Sequence, residues 1–319
     1  MVYVLCYRGD FFKEQNLFRA NAYQLIVEME DMSNLTDGDT SFLVDEILHS
    51  IFFMGKITYL SFSPEDIFHG DEKFLDYMRE MYPRPFDLYS SQIPNRSPFS
   101  CVLDMVVRLS GPQEKASSQN NLQEIQNKLR ELISKLKQRD NSKMLFSTTL
   151  CVSSVSGSSK YYGVSMSTHR KPARQIMVAA GCLSYWDDCV AAAVMSYCPQ
   201  KRRKSYFDGT FQLPADVRCE AFSIEGQRMM VPCRSCNNLF NLETTETKTN
   251  PYGNCAETES LSNLLKKEER VKQQVQRCVS ERVNDRERAE RDVLKQLKQI
   301  LKPYSGFTWD NSYYRPLDV

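Results

Sequence analysis

The sequence has no excess of charge of either sign, no long apolar run and no secretion leader. Its 319 residues carry 41 Lys and Arg against 40 Asp and Glu, for a formal net charge of +1. A chain so nearly neutral has no global field that favours nucleic acid or a membrane, so polyanion binding would need a local patch. The start, MVYVLCYRGDFFK, lacks a basic leader with a sustained apolar core, and no apolar run approaches the ~20 residues that cross a bilayer.

Histidine is scarce as well, and the sequence contains only His49, His69 and His169. Each stands apart from other candidate ligands, and an isolated histidine is more often a packed or surface residue than a metal ligand. His169 follows a predicted hairpin, but no neighbour supports a role for it in a pocket. The histidines therefore do not point to a metal site or a catalytic site.

Cysteine, in contrast, is abundant, with eleven residues in the chain. Their scatter does not suggest paired disulfides, which predicts free thiols or metal ligands in a reducing compartment, the cytoplasm or the nucleus. Hydrophobic residues make up 41% and charged residues 25% of the chain, which is ordinary for a soluble globular protein and predicts no membrane partner.

Three of the cysteines stand at offsets that suit a metal ion. Cys233 and Cys236 form a C-x-x-C pair, and Cys255 follows with Glu257 two residues further on. Catalytic zinc typically has three protein ligands and keeps its fourth position for water, a need that three thiolates beside a carboxylate fit. Proline is favoured at the first helical position, so Pro232 predicts a helix whose first turn carries Cys233 and Cys236 on one face.

A second helix is predicted after the turn-rich run Pro251 to Asn254, with Leu261, Leu264 and Leu265 as its buried stripe. Cys255 and Glu257 would occupy its first turn. Two helix N-termini would then point at one metal and offset part of the thiolate charge. Glu257 is not needed as a ligand, so it could take the proton of a zinc-bound water, whose pKa falls towards ~7.

These residues resemble the signature of the zinc-dependent nucleoside and nucleic-acid deaminases, Pro-Cys-x-x-Cys with (His or Cys)-Ala-Glu. The run CAETESLSNLL is especially similar to the toxin-type deaminases and their eukaryotic relatives, which include AID/APOBEC-like proteins. The resemblance is specific over about 35 residues, extends in general pattern back to residue 144 and says nothing about residues 1–110. The matching positions are Pro232, Cys233, Cys236, Cys255, Ala256 and Glu257.

The resemblance implies a Zn²⁺ ion held by Cys233, Cys236 and Cys255, with Glu257 as the proton shuttle. It implies hydrolytic removal of the exocyclic amine of cytosine or adenine, in a nucleoside or a single-stranded nucleic acid. The family places the glutamate-bearing helix before the Pro-Cys-x-x-Cys helix, whereas this chain has the reverse order. Either the fold is permuted or the likeness is convergent.

Other interpretations of the cysteines stay open. The C-x-x-C pair could be a structural zinc half-site, a redox pair or two buried cysteines. A closed structural site needs a fourth ligand, for which Cys219 and Cys278 are candidates without suitable spacing. The alternative function is a non-catalytic scaffold protein that has a structural zinc site and binds a protein partner through the charged C-terminal helix.

The predicted fold class is α/β, a mixed β-sheet flanked by helices, deaminase-like with permuted elements, beside an N-terminal α+β accessory region. The predicted domains are the accessory region at 1–111, a linker and packing helix at 112–143, and the zinc domain at 144–319. Strands are predicted at VYVLCY, at GKITYLSFS, on both sides of a turn at 156–159, and at 217–226. Helices are predicted at 21–30, 41–54, 71–82, 121–141 and 186–197, although IVEM within the first of these could equally be a strand. The segment 97–111 is predicted as a strand or a short helix.

Two further segments carry binding hypotheses. The basic run Lys201, Arg202, Arg203 and Lys204 precedes two aromatic residues and could hold phosphates while bases stack nearby. The same run could be a nuclear-import signal or a solvated loop, and the loop is favoured because short charge runs are common. Residues 266–302 predict one or two charged helices, and the aromatic tail that follows is predicted to dock back on its own domain.

Overall fold

The computed structural model describes residues 2–58, 61–111, 118–137, 144–156, 159–168, 171–278 and 283–316. Within them the protein is mixed α/β, and α-helices surround a small parallel sheet and a small antiparallel sheet. The mixed α/β class predicted from the sequence is therefore confirmed, while its deaminase-like or permuted order of elements stays a prediction. None of the described helices is both long enough and apolar enough to cross a bilayer.

The first part of the chain is almost entirely helical. The one strand among its described residues, β1, is the two-residue segment Ile93–Pro94. The helices are α1 Val2–Asn34, α2 Ser41–Lys56, α3 Pro64–Ile67, α4 Glu72–Met81, α5 Pro83–Leu88, α6 Pro98–Leu109 and α7 Ser118–Lys137. The predicted helices at 21–30, 41–54, 71–82 and 121–141 are confirmed where they are described, and α4 ends before Pro83 as predicted.

Two predicted strands in this part are wrong. VYVLCY lies within α1, a helix of 33 residues. Helix formation is cooperative, so a long helix extends through residues whose own preference for a strand is weak. GKITYLSFS contains no strand among its described residues. There α2 ends, Phe62 N donates to Gly55 O at 3.0 Å, and Ser63 caps α3 in a capping box with Asp66.

The four-stranded antiparallel sheet consists of β2 Thr149–Val155, β3 Lys160–Val164, β4 Val217–Ser223 and β5 Met229–Met230, in the order β3-β2-β4-β5. The predicted hairpin is confirmed in the pairing of β2 with β3, and the predicted strand at 217–226 in β4. Residues 157–158 at the tip of the hairpin lie outside the described residues. β5 is one edge of the sheet, and its exposed side chains flank the candidate site.

Helices α8 Lys171–Ala180 and α9 Asp188–Met195 lie between β3 and β4, joined by a π-helical turn at Gly181–Tyr185. The predicted helix at 186–197 is confirmed in α9, whereas α8 was not predicted. The remaining helices are α10 Arg234–Phe240, α11 Ala256–Lys267, α12 Glu269–Cys278 and α13 Val283–Leu301, followed by β6 Tyr313–Tyr314.

Helix α11 packs directly on the sheet, against β3 and β2, and a glycine makes that approach possible. A Cβ atom added to Gly163 of β3 would lie 2.3 Å from Ser260 N and 2.6 Å from Ala256 O. Ser260 Oγ is 2.8 Å from Ser153 Oγ and donates to Cys151 Sγ at 3.1 Å, which ties the helix to β2. The N-terminus of α11 is thereby fixed over one face of the sheet.

The aromatic tail docks on the N-terminal helical part of the protein, whereas the sequence predicted that it docks back on its own domain. β6 pairs in parallel with β1, Asn95 Nδ2 donates to Tyr314 O at 2.7 Å, and the Tyr314 ring stacks on His49 at 3.7 Å between centroids. Burial lowers the pKa of His49 to about 3, so its imidazole is neutral. One cluster of buried apolar side chains extends from Leu17 to Phe307 and draws on both the predicted accessory region and the predicted zinc domain.

Candidate metal centre

The three predicted ligands meet at the N-termini of two helices. Cys233 is the N-cap of α10, Cys236 is the third residue of that helix, and Cys255 is the N-cap of α11. Both caps have extended backbone, with φ and ψ of −75° and 165° at Cys233 and −83° and 151° at Cys255. Pro232 precedes the cap, so the prediction that it occupies the first helical position is wrong by two residues. The positive ends of two helix dipoles nevertheless face the sulfur atoms, as predicted.

The separations between the sulfur atoms fit a tetrahedral metal site. Cys233 Sγ lies 3.7 Å from Cys236 Sγ and 3.5 Å from Cys255 Sγ, and all three atoms lie within 4.8 Å of one another. Zinc–sulfur bonds are ~2.3 Å long, so two thiolates on a tetrahedral zinc ion are about 3.8 Å apart. The three thiols are thus close enough to hold one metal ion without rearrangement of either helix.

The electrostatics of the cluster favour a cation. Hydrogen bonds with Cys236 and Cys255 hold the pKa of Cys233 far below its usual range, whereas the hydrogen bond with Cys233 raises the pKa of the other two thiols. One thiolate therefore forms readily, and a second and a third would repel it in a partly buried site. A divalent cation removes that cost, because it stabilises all three thiolates at once.

Glu257, the second residue of α11, lies beside the thiols and is only 5% exposed. Burial raises the pKa of its carboxyl, so this group holds a proton more readily than an exposed glutamate does. Glu257 lines a pocket of about 410 Å³ together with Cys233 and Cys255. The other lining residues are Thr149, Ser165, Ala221, Met230, Val231, Asn250, Asn254 and Ala256. This pocket, called the metal pocket below, joins the cysteine cluster to solvent.

Two asparagines of the metal pocket were not predicted from the sequence. Asn250 Nδ2 donates to Cys255 Sγ at 3.7 Å, and Ser235 Oγ donates to Asn250 O at 2.5 Å, which holds the connector between α10 and α11 against the cluster. Asn254 Oδ1 is buried and has no hydrogen-bond partner among the described residues. Such an unpaired buried acceptor is costly, so it marks a place where a ligand could donate a hydrogen bond. The turn-forming run NPYGN was the only sequence signal for these residues.

The basic run at 201–204 does not act as a unit. Lys204 is buried, and its Nζ donates to Met195 O at 2.6 Å and to Cys198 O at 2.5 Å, so it completes the end of α9. Arg203 pairs with Asp208 at 2.9 Å, and Arg202 is exposed. Lys201 lines a different pocket, next to Tyr252. The solvated loop favoured from the sequence therefore describes Arg202 and Arg203 but not Lys204.

The candidate fourth ligands do not join the cluster in the described part of the chain. Cys219 lies on β4, where its Sγ is 3.5 Å from Cys151 Sγ, outside the group of three. The side chain of Cys278 and the whole of His169 lie outside the described residues. Among those that are described, Cys233, Cys236 and Cys255 form the only group of three or more potential metal ligands. Three ligands leave one tetrahedral position for another group.

Searches of family models, of curated proteins and of solved structures find no match to this chain. Function must therefore be inferred from the residues of the metal pocket and from their geometry.

Proposed function

We propose that this protein is a zinc-dependent hydrolytic deaminase that acts on cytosine or adenine in a nucleoside or a nucleic acid. The observation that carries the proposal is the position of Glu257, a buried carboxyl that shares a pocket with Cys233 and Cys255, two of the three thiols spaced for one metal ion. A closed structural site has no use for such a carboxyl, whereas hydrolysis needs a group that moves protons.

Zinc held by Cys233, Cys236 and Cys255 would supply a Lewis acid that activates water. Glu257 would take a proton from the attacking water and pass it to a ring nitrogen, while the water oxygen bonds to the ring carbon. The remaining proton of the added hydroxyl would then move to the amine, and the carbon–nitrogen bond would break as ammonia leaves. The products are ammonia and the base with a carbonyl in place of the amine, so one water is consumed for each amine lost.

The remaining groups of the pocket suit a planar base. Asn254 Oδ1, which is buried and has no partner among the described residues, could accept a hydrogen bond from the exocyclic amine. The side chains of Met230 and Val231, 40% and 53% exposed, line the pocket and offer an apolar surface to the face of a ring. A planar molecule with one polar edge and two apolar faces matches this lining.

The test compares wild-type protein with Glu257→Gln and with the control Glu246→Gln, whose glutamate is exposed in the connector. Each zinc-loaded protein is assayed for ammonia release from cytidine, from adenosine and from single-stranded oligonucleotides that contain either base. We expect release by the wild type and by Glu246→Gln, and a loss of about 10²-fold or more in Glu257→Gln with one zinc still bound. An active Glu257→Gln variant would refute the proposed role, and inactivity of zinc-loaded wild type on every substrate would refute the function.

A scaffold protein with a structural zinc site is the second candidate, and exposed apolar residues on the sheet edge favour it. Met229, Met230 and Val231 are 65%, 40% and 53% exposed along and just after β5. An edge strand with such side chains is suited to pairing with another chain. Removal of zinc by a chelator separates the candidates, because a structural site predicts loss of cooperative unfolding, whereas the deaminase predicts retained cooperativity.

A further inference from the structure

A second pocket, of about 610 Å³ and open to solvent, lies next to the metal pocket. The two share one turn of the chain. Asn250 and Asn254 line the metal pocket, whereas Pro251 and Tyr252, between them in sequence, line the second one. We call it the cationic pocket, for the side chains at its rim.

Three basic residues line the cationic pocket: Lys171 and Arg174 of α8, and Lys201 in the loop after α9. No Asp or Glu belongs to its described lining, although the chain as a whole has almost as many acids as bases. None of the three cations forms an ion pair with a carboxylate of the described residues. A concave surface with uncompensated positive charge focuses the field and attracts anions.

The same pocket offers flat surfaces. Tyr197 and Tyr252 are half-buried and stack on each other, with ring centroids 4.1 Å apart and an interplanar angle of 14°. Asn238 Nδ2 donates to Tyr252 Oη at 2.9 Å and fixes that ring. Val178, Ala179 and Val293, all buried, add apolar lining. Rings held in this way stack on planar ligands, each such contact contributing ~1–3 kcal/mol for a nucleobase.

We propose that the cationic pocket binds a nucleotide, with its phosphate on Lys171, Arg174 and Lys201 and its base against Tyr197 and Tyr252. Phosphate needs cations, a base needs a flat apolar surface, and the pocket combines the two. The site does not depend on the metal. Its connection to the reaction rests on the proposed function: because one turn lines both pockets, a strand with its target base in the metal pocket would place a neighbouring nucleotide here.

Binding is measured by fluorescence anisotropy, with zinc-loaded full-length protein and a labelled single-stranded oligonucleotide. The variants are Arg174→Glu, Lys201→Glu and the two combined. The matched control is Arg202→Glu, which makes the same change of charge one residue away, at an exposed position outside the pocket lining. Arg174→Gln is included in case the charge reversal on α8 disturbs folding, which thermal unfolding would reveal.

We expect each single reversal to weaken binding about fivefold and the double reversal at least about 25-fold, with less than twofold for Arg202→Glu. Tyr197→Leu should weaken binding to a similar extent as one reversal, because it removes stacking without a change of charge. Equal losses in Arg202→Glu and Lys201→Glu would show attraction by general charge and overturn the proposal. Failure of the wild type to bind any nucleotide would also overturn it.

Competition by unlabelled cytidine and adenosine 5′-monophosphates identifies the source of the nucleotide. Displacement of the oligonucleotide by monophosphates but not by nucleosides indicates a free nucleotide, whereas displacement only by unlabelled oligonucleotide indicates a strand. The Glu257→Gln variant separates this proposal from the proposed function, since the cationic pocket should bind the nucleotide equally well when the Glu257 carboxylate is absent. Nucleotide binding without ammonia release would refute the deaminase and support the cationic pocket. Ammonia release by a protein whose nucleotide binding is unchanged in the pocket variants would support the deaminase and refute the cationic pocket.

Discussion

In two groups of cysteines in the described part of this protein, the sulfur atoms lie close to one another. One sulfur–sulfur distance is the same in both groups. Cys233 and Cys255, of the metal cluster, have sulfur atoms 3.5 Å apart, and so do Cys151 and Cys219 on adjacent strands of the sheet. The surroundings differ. The first pair caps two helices at the edge of a pocket, whereas Cys151 is fully buried against Ala221 and Ala256. Proximity of thiols alone therefore does not make a metal site.

The difference lies in what surrounds the charge. Burial raises the pKa of Cys151, and its nearest polar neighbours are another thiol and the Ser260 hydroxyl. A thiolate there would lack access to solvent. At Cys233 two neighbouring thiols favour the thiolate, and Cys255 brings a third ligand from a second helix. Metal sites require stabilised thiolates in a convergent arrangement, which the sheet pair lacks.

The largest expected effect comes from removal of one ligand. Cys255→Ser should weaken zinc binding by about 3 kcal/mol, roughly two orders of magnitude, if each ligand carries a similar share of the affinity of a zinc site. Cys219→Ser should leave affinity unchanged, because Cys219 lies outside the cluster. Competition with a colorimetric chelator measures both. Equal losses in the two variants would mean that the sheet pair takes part in binding.

Zinc affinity should also rise with pH. The pKa values of Cys236 and Cys255 are raised, so these thiols hold their protons at neutral pH and must release them when the metal binds. Lower pH therefore favours the protonated, metal-free cluster. The same chelator competition between pH 6 and pH 8 measures the slope, and an affinity independent of pH would contradict three thiolate ligands.

A smaller effect on stability and zinc affinity is expected from a substitution between the sheet cysteines and the helix that Cys255 caps. Gly163 pairs with Cys151 and lies under α11, whose N-cap is Cys255. Gly163→Ala would place a methyl group against Ser260 N, and overpacking of this kind costs about 1–3 kcal/mol. Chemical denaturation measures the loss, with Gly226→Ala as a control because its nearest contacts are looser. Zinc affinity should fall only in Gly163→Ala, as α11 moves away from the sheet.

The smallest expected effect is a difference in reactivity. In zinc-free protein at pH 7, iodoacetamide should alkylate Cys233 at least about tenfold faster than Cys151, because the pKa is lowered at the first thiol and raised at the second. Peptide mass spectrometry after short labelling gives the ratio. Zinc should slow the alkylation of Cys233 and leave the alkylation rate of Cys151 unchanged. Similar rates at both sites would contradict the electrostatic contrast.

The sequence predicted the cluster well, because the relevant signals are local. A C-x-x-C at a helix start and a Cys-Ala-Glu at another need only short-range rules of capping and periodicity, and both helices were found. The predicted helix start at Pro232 is two residues too early, because Cys233 is the N-cap and the helix begins at Arg234. That the two helices meet in space was inferred from chemistry, since nothing local brings residue 233 towards residue 255.

Other features depend on tertiary contacts and could not be predicted. Lys204 looked like part of a basic surface, and only the fold shows that it hydrogen-bonds carbonyls at the end of α9. Asn254 has an ordinary turn sequence, and its unpaired oxygen becomes visible only once the pocket surrounds it. VYVLCY has the composition of a strand but lies in a long helix, because cooperative helix formation outweighs local preference.

The stacking of Tyr314 on His49 has a consequence for biosynthesis. The two residues are 265 positions apart, and at ~5–20 residues per second the ribosome needs roughly 13 to 53 s to travel from one codon to the other. Throughout that interval His49 of α2 and the strand β1 stay without their partners from the tail. The N-terminal helices must therefore wait, partly assembled, until Tyr314 has been synthesised, and nascent-chain chaperones have that long to act on them.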